Sequence, residues 1–130
     1  MATIFTRIIQ GEIPCYKIAE NERFFAFLDI NPLSEGHTLV VPKHETDYLF
    51  NLDDEELGQM MVFAKKVAAA IEKAIPCKRI GVAVIGLEVP HAHIHLVPIT
   101  CEGDLDFKKE HLKLTPEAFV AIQQKITSAF

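Results

Sequence analysis

Residues 91–97 of the chain read His-Ala-His-Ile-His-Leu-Val and place three histidines at alternate positions inside an apolar run. Successive side chains of a β-strand point to opposite faces of the sheet. The stretch therefore predicts a strand over 91–99 whose three imidazoles share one face, while the apolar residues between them pack on the other: Ala92, Ile94 and Leu96. Three groups that titrate near neutral pH are costly to bury together, so this row indicates chemistry rather than packing.

The remainder of the chain predicts an α+β fold in which a five-stranded antiparallel sheet packs against one long helix. Apolar runs bounded by turn residues predict the other four strands, at 15–19, 24–28, 37–41 and 79–85. Apolar residues at helical spacing predict a short N-terminal helix from Ile4 that stops at Gly11 and a long helix between Asp53 and Pro76. A capping threonine followed by proline predicts a C-terminal helix over 116–129.

The long helix is expected to bury one apolar stripe, made of Leu57, Met61, Ala64, Val67, Ala68 and Ile71. The polar segment 101–114 is expected to be a loop. With 130 residues, of which 49% are hydrophobic, the chain can bury one core, and it contains no repeat, low-complexity tract or linker. We therefore expect a single domain over residues 1–130.

Composition argues against several classes of protein. A net charge of −5 argues against nucleic-acid binding, which needs a basic surface, although a locally positive pocket can still bind a small phosphorylated ligand. No stretch approaches the roughly 20 apolar residues of a membrane span, and we expect no membrane association and no signal peptide. The cysteines are odd in number and scattered, at Cys15, Cys77 and Cys101. That pattern suits a reducing compartment, so we expect a cytoplasmic protein.

Two chemistries use histidines in this arrangement. A pair of alternate histidines can bind a metal, but the nearest acids, Glu88 and Glu102, lie beyond the row on either side, so a metal site would need His37 or His44. In the other chemistry a neutral imidazole attacks phosphorus while its neighbours stabilise the phosphate charge. His93 is then the natural nucleophile because it alone has a ring on both sides.

Residues 91–97 match His-φ-His-φ-His-φ-φ, where φ is apolar, and with this signature the chain resembles the histidine-triad (HIT) nucleotide hydrolases and transferases. Other segments resemble the Hint-like branch of that family in the same order: 3–9, 12–14, 27–32 and 36–44. The resemblance covers about residues 3–100, which we expect to be the core of a HIT domain, and leaves a C-terminal extension at 101–130. It implies the HIT fold, a homodimer whose sheets join across the two-fold axis, and an AMP-type purine nucleotide ligand, with no cofactor.

The resemblance also implies a role for each histidine. His93 would attack the α-phosphorus of a nucleoside phosphoramidate, an adenylate or a dinucleoside polyphosphate. Water would then release a nucleoside monophosphate from the nucleotidyl-histidine. His91 would orient His93, His95 would contact the phosphoryl oxygens, and His37 would sit behind the row in the same polar network.

For the nucleotide, the resemblance implies that Asp29 accepts hydrogen bonds from both ribose hydroxyls, which suits a carboxylate with two acceptor oxygens. The same residue, taken alone, is also typical of the start of a turn. Apolar residues would form the slot for the base: Ile4, Phe5, Ile8, Phe27 and Ile30. Of these, we favour ligand contact over a purely structural role only for Phe5, Phe27 and Ile30. Backbone N–H groups around Val89 would cradle the phosphate.

The chain departs from the family at a structural zinc site. Some HIT proteins bind this ion through an N-terminal Cys-x-x-Cys and two histidines. The matching positions here are Thr3 and Thr6, together with His44 and His91. Because two histidines cannot complete a tetrahedral zinc site, we expect no metal.

The chain also departs from the family just before the triad, where Leu87 and Glu88 stand in place of a glutamine and a hydroxyl residue. A carboxylate beside a phosphate repels it, so Glu88 either turns toward solvent or acts as a protonated acid for the leaving group. This change supports one alternative function, a nucleotide-binding regulatory dimer with little turnover. A metal-dependent hydrolase that uses the histidines as ligands is the other alternative.

Overall fold

A computed structural model describes residues 2–130 of the chain. The strands, in chain order, are β1 (Lys17–Glu20), β2 (Phe24–Leu28), β3 (Thr38–Pro42), β4 (Arg79–Ala83) and β5 (Ile94–Ile99). The α-helices are α1 (Ile4–Ile9), α2 (Asp54–Ala74) and α3 (Pro116–Thr127), and short 3-10 turns lie at Leu49–Asn51 and Glu102–Leu105. The strands form one antiparallel sheet in the order β1-β2-β3-β5-β4, which confirms the predicted α+β architecture.

Helix α2 covers one face of the sheet and forms the larger core with it. Its N-terminus is capped by Asp53, whose carboxylate accepts a hydrogen bond of 2.8 Å from the N–H of Glu56. The buried stripe of α2 consists of Met60, Phe63, Ala64, Val67, Ala70 and Ile71. The prediction was therefore wrong for Met61, which is 44% exposed while Met60 is buried. Residues 60–63 are all apolar, so their pattern alone does not define a single face.

The opposite face of the sheet has a smaller core, formed by Phe5, Phe25, Phe27, Leu39 and Val41. Helix α1 packs on this face, where the ring of Phe5 meets that of Phe27 edge to face at a centroid distance of 5.6 Å. The hydroxyl of Thr3 caps α1 by accepting a hydrogen bond of 3.0 Å from the N–H of Thr6. Gly11, with φ of 82°, adopts the left-handed conformation just after the helix. This face carries the candidate site.

Strand β5 begins three residues later than predicted, so His91 and His93 precede the sheet and only His95 lies within it. The apolar residues between the histidines nevertheless pack into the larger core as predicted: Ala92, Ile94 and Leu96. Side chains therefore alternate between the two faces already before β5 begins, although the backbone hydrogen bonds of the sheet do not extend that far.

The ladder between β3 and β5 stops at the pair formed by Val40 and Ile94. Two positions further along this register, where the next hydrogen-bonded pair would lie, Ala92 would oppose Pro42, which has no N–H to donate. Ala92 instead donates its N–H to the carbonyl of Thr46 at 2.6 Å. The proline in β3 thus explains why the predicted strand over 91–99 was too long at its start.

The remaining differences concern the ends of elements. Strand β2 occupies the predicted residues, β1 and β3 are shifted toward the C-terminus, and α3 ends two residues early at Thr127. Strand β4 ends at Ala83 rather than at residue 85, because Ala83 pairs with His95 and β5 begins only one residue before that histidine. Among residues 2–130, no helix combines the length and apolar character needed to cross a bilayer.

The C-terminal part of the chain returns to the sheet. Helix α3 contacts α2 and β1. The segment 101–114 connects β5 to α3, and the N–H of Leu112 donates a hydrogen bond of 2.9 Å to the carbonyl of Pro32. This bond brings the predicted loop against the residues that follow β2, beside the histidines.

Candidate active site

The histidines lie beside a cavity of about 690 Å³ on the face of the smaller core. His93 and His95 line this cavity. His37 and His91 lie deeper, with 1% and 0% of their surface exposed. A second depression, of about 930 Å³, lies between the 21–24 turn and the first half of α2 and is lined by no histidine.

The ring of His93 is held by the backbone. Its Nδ1 lies 2.8 Å from the carbonyl oxygen of His91. Because a carbonyl only accepts, Nδ1 carries the proton, and Nε2 is unprotonated when the ring is neutral. Among the described residues Nε2 has no hydrogen-bond partner. His91 thus contacts His93 through its backbone, and its own ring points elsewhere.

His95 has the opposite tautomer. The N–H of Leu33 donates to Nδ1 of His37 at 2.9 Å, so the proton of His37 is on Nε2. That Nε2 lies 2.9 Å from Nδ1 of His95, which must therefore accept. The proton of His95 is then on Nε2, which has no hydrogen-bond partner within residues 2–130. The site thus has an unprotonated nitrogen on one ring and an N–H donor on the next, with ring centroids 5.0 Å apart.

Burial keeps His37 and His95, the two histidines joined by this hydrogen bond, neutral. It lowers the pKa of His37 to about 3, with a further contribution from the nearby His95. Burial likewise lowers the pKa of His95 to about 4, and proximity to His93 adds to the effect. Both values lie far below pH 7, so the tautomers assigned from the hydrogen bonds are those of neutral rings.

Asp29 lies on the cavity at the end of β2. Its Oδ1 accepts a hydrogen bond of 2.8 Å from the N–H of Asn31, so the residue does begin a turn. Burial raises the pKa of its carboxyl group. Oδ2 lies 3.5 Å from Nε2 of His37.

The residues best placed to bind a metal are Asp29, His37 and His95, whose donor atoms lie within 4.8 Å of one another. The facing nitrogens of the two histidines are already joined by the hydrogen bond of 2.9 Å. A metal bound here would have to displace the proton of that bond. A metal-dependent mechanism would use these three residues as ligands, and in this structure the two histidines are hydrogen-bonded to each other instead.

All eight residues predicted to bind the nucleotide line the cavity: Ile4, Phe5, Ile8, Phe27, Asp29, Ile30, Glu88 and Val89. Phe5 and Phe27 are buried, and each also belongs to the smaller core. Ile30 is 73% exposed and lies at the rim, and Glu88 is also exposed. The set was predicted from distant parts of the chain, and the structure brings it together around one space.

Hydrogen bonds connect three of the positions at which some HIT proteins bind zinc. Nε2 of His91 donates to the carbonyl of Pro42 at 2.8 Å, so its Nδ1 accepts the hydroxyl proton of Thr3 at 2.7 Å. Glu45, which sequence reasoning missed, accepts from the N–H of Thr3 and from the hydroxyl of Thr6. These bonds fasten α1, which carries Phe5, to the histidine segment.

His44 lies apart from this network. Its Nε2 contacts the hydroxyl of Thr46 at 2.6 Å, and its Nδ1 lies 3.0 Å from the carboxylate of Glu56. The four positions therefore use their polar atoms for hydrogen bonds, and two of them offer only hydroxyl groups.

The segment 101–114 supplies three further cavity residues that sequence reasoning missed: Phe107, Lys108 and His111. The ring of Phe107 packs edge to face on that of His95 at a centroid distance of 4.8 Å. His111 was visible as a sixth histidine, but nothing in the surrounding sequence connects it with the triad.

Comparisons with known proteins agree with the geometry. Residues 10–100 match the sequence profile of the HIT domain. The adenosine 5'-monophosphoramidase hnt1 of Schizosaccharomyces pombe is 35% identical over 131 residues, which cover 98% of each chain. With a buried histidine row in the expected fold, these matches show that the chain belongs to the HIT family.

Solved structures show the same fold. A Hit-like protein from Bartonella henselae, described as involved in cell-cycle regulation, superimposes with a TM-score of 0.85 at 29% identity, covering 98% of this chain and 96% of that one. A zinc-bound histidine triad family protein from Mycobacterium smegmatis superimposes with a TM-score of 0.83 at 27% identity, covering 99% of this chain and 93% of that one. The HIT fold predicted from the sequence is therefore confirmed.

Proposed function

We propose that the chain is a nucleotide hydrolase or transferase in which His93 attacks the α-phosphorus of a nucleotide. The observation that carries this proposal is the pair of opposite tautomers on His93 and His95, which present a nucleophilic nitrogen and an N–H donor beside one cavity. A relative named adenosine 5'-monophosphoramidase supports the same reaction class.

In the proposed mechanism, Nε2 of His93 forms a bond to the α-phosphorus while the bond to the leaving group breaks, and the electron pair departs with that group. A leaving amine takes up a proton from solvent, whereas a leaving phosphate departs as an anion. The ring becomes positively charged in this step. The hydrogen bond from Nδ1 to the carbonyl of His91 becomes stronger as that charge develops. The N–H of His95 donates to a phosphoryl oxygen. Water then attacks the nucleotidyl-histidine, gives up a proton to solvent, and releases a nucleoside 5'-monophosphate and the neutral ring.

For binding, we propose an AMP-type purine nucleotide. The base would lie between the apolar side chains of the cavity, among which Phe5 and Phe27 are the aromatic members. Asp29 would accept hydrogen bonds from the ribose hydroxyls. Among the described residues, Oδ2 has only a contact of 3.5 Å with Nε2 of His37, so this oxygen can still accept a hydrogen bond from a ligand. Glu88 also lines the cavity, and its exposed carboxylate can turn away from phosphate.

We propose that two copies of the chain form a homodimer through β4. Within residues 2–130 this strand pairs only with β5, so its other edge is open. Exposed apolar residues accompany that edge: Val82, Val84, Ile85 and Leu87. An open edge with apolar neighbours favours strand addition by a second copy.

We further propose a cytoplasmic protein that needs no cofactor and binds neither nucleic acid nor membranes. Three cysteines without disulfide bonds suit a reducing compartment. The net charge of −5 disfavours contact with a polyanion.

The proposal is tested by incubating the protein with adenosine phosphoramidate and measuring AMP. We expect turnover by the unaltered chain and a loss of about a thousandfold or more in His93→Ala, because that variant lacks the nucleophile. His93→Ala should still bind AMP in calorimetry. His44→Ala, a histidine outside the cavity, is the matched control and should retain activity.

Two further measurements separate the alternatives. When the reaction is stopped during turnover without using acid, mass spectrometry should detect a nucleotidyl adduct on the peptide that contains His93. AMP binding without AMP release would favour the regulatory dimer. Activity that disappears with a chelator and returns with a divalent cation would favour the metal-dependent hydrolase.

A further inference from the structure

The segment 101–114 forms one wall of the cavity although it lies outside the histidine motif. Phe107 packs on the ring of His95, and Leu112 is bonded to the carbonyl of Pro32. Lys108 directly follows Phe107, has an exposed side chain and lines the cavity. Its position places a flexible cation on the cavity that His95, the histidine that would contact the phosphate, also lines.

Charge in the cavity is unevenly distributed. Of the described residues that line it, Lys108 is the only lysine or arginine, whereas Asp29 and Glu88 are both acidic. A nucleotide adds at least one phosphate charge to this space. The neutral ring of His95 offers a hydrogen bond to that charge but no positive charge, so positive charge in the cavity comes from Lys108 and from the protonated form of His111.

His111 fixes the wall in place. Its Nδ1 lies 2.7 Å from the carbonyl of Asn31 and its Nε2 lies 3.0 Å from the carbonyl of Phe107. Two carbonyl acceptors require a proton on both ring nitrogens, and these bonds raise the pKa of His111. Because both of its ring nitrogens are hydrogen-bonded to backbone carbonyls, His111 positions the segment that carries Lys108 and has no ring N–H left to donate to a ligand.

The neighbouring lysine provides a contrast. Nζ of Lys109 lies 3.8 Å from the carboxylate of Asp104, within the same segment, and Lys109 does not line the cavity. Two adjacent residues of identical chemistry therefore have different surroundings, and of the two only Lys108 lines the cavity.

We propose that Lys108 is a specificity-determining residue that binds an anionic leaving group, so that the preferred substrates are nucleotides joined to a second phosphate, such as dinucleoside polyphosphates. This inference rests on the proposed function. As the bond from His93 to the α-phosphorus forms, the bridging P–O bond breaks and its electron pair leaves on the departing phosphate. The ammonium group stabilises that charge. A phosphoramidate, which releases an amine, gains much less from it.

The test compares two substrates with the same adenylyl group, diadenosine tetraphosphate and adenosine phosphoramidate, under identical salt conditions. In Lys108→Ala we expect the ratio of kcat/KM for the tetraphosphate to that for the phosphoramidate to fall about tenfold, as for the loss of one charge-assisted hydrogen bond. Lys108→Arg should restore most of the ratio. Lys109→Ala is the matched control and should leave the ratio unchanged.

Each outcome distinguishes the two proposals. If the unaltered chain releases AMP from the phosphoramidate but not from the tetraphosphate, this inference is wrong and the proposed function stands. An equal change for both substrates in Lys108→Ala also overturns it. If the unaltered chain turns over neither substrate, the proposed function fails and this inference fails with it.

Discussion

Two segments meet at the same cavity and differ in how they are organised. Residues 91–95 carry a periodic pattern, and their side chains are positioned by the sheet and by nearby carbonyls. Residues 101–114 have no such pattern, and they are positioned by bonds to the backbone at Asn31 and Pro32. In the first segment burial lowers the pKa of His91 and His95, and the second segment brings basic side chains to the cavity, Lys108 and His111.

This difference separates two tasks. In the proposed mechanism, the histidine segment supplies bond making and bond breaking, which needs fixed tautomers and therefore burial. The C-terminal segment supplies charge at the surface of the cavity, which needs solvent access and a flexible side chain. A segment with the second task has no reason to show a hydrophobic period, so sequence patterns do not reveal it.

The largest expected effect lies in the histidine segment. His95→Ala removes the N–H donor beside His93, and we expect kcat to fall about a hundredfold to a thousandfold for both substrates, as for loss of one oxyanion donor. Steady-state kinetics measure this. If His95→Ala instead behaved like Lys108→Ala and affected mainly the tetraphosphate, the division of tasks between the two segments would be wrong.

An intermediate effect is expected where the two segments touch. Phe107→Ala exposes the ring of His95 to water, which should raise its pKa from about 4 toward the ordinary 6.5. The acid limb of the pH–rate profile should then move to higher pH, because the ring becomes protonated sooner as pH falls. Phe107→Leu keeps an apolar cover and is the control. An unshifted acid limb in Phe107→Ala would mean that the segment does not control the protonation of His95.

The buried histidines His37 and His95 and the C-terminal segment should also respond to pH with opposite sign. For His37 and His95 the folded pKa values, about 3 and about 4, lie below the ordinary 6.5, so the unfolded chain binds more protons as pH falls. Denaturant titrations should show the free energy of unfolding decreasing from about pH 6.5 toward pH 4, by up to roughly 1 kcal/mol per pH unit for each histidine.

For His111 the folded pKa is raised, so its stabilisation is present below the ordinary pKa and is lost as pH rises through the raised value. Hydrogen exchange at the amide of Leu112, corrected for intrinsic rates, should therefore show weaker protection above that pH. His111→Gln should remove this dependence. Protection that rises with pH in the unaltered chain would contradict the assignment of a doubly protonated ring.

The smallest expected effect concerns the contact between α1 and the histidine segment. Thr3→Ala removes the cap of α1 and the hydrogen bond to His91, and we expect a loss of about 1 kcal/mol in stability. Thermal unfolding measures it, with Thr46→Ala, a threonine bonded to the exposed His44, as the control. A melting temperature equal to that of the unaltered chain would show that the network does not fasten α1.

Much of the fold was predictable because its signals are local. The strand Phe24–Leu28 has strong β-propensity and turn residues on both sides, and α2 and α3 begin at capping residues, Asp53 and Thr115. The cavity set was predictable only through the family resemblance, since Phe5 and Phe27 read equally well as core. The end of the β3–β5 ladder depends on a pairing register that the sequence of one strand does not contain.

The rest of the site could not be predicted because it depends on backbone groups. The tautomer of His93 is set by a carbonyl, that of His37 by the N–H of Leu33, and the charge of His111 by two more carbonyls. Backbone N–H and C=O groups are nearly the same at every position, so the sequence does not distinguish them. Their directions become known only when the chain is folded.

The imino nitrogen of Pro42 has a consequence for anyone redesigning this scaffold. Replacing this proline would give residue 42 an N–H that can pair with the carbonyl of Ala92, which would extend the ladder and draw residues 91–93 into the strand. In an extended strand the carbonyl of His91 lies in the plane of the sheet while the ring of His93 points out of it, so the hydrogen bond between them would be lost. The redesigned protein would gain order in the strand and lose the acceptor that sets the tautomer of the proposed nucleophile. The interruption of the ladder at Pro42 is thus required for the tautomer of His93 on which the proposed mechanism depends.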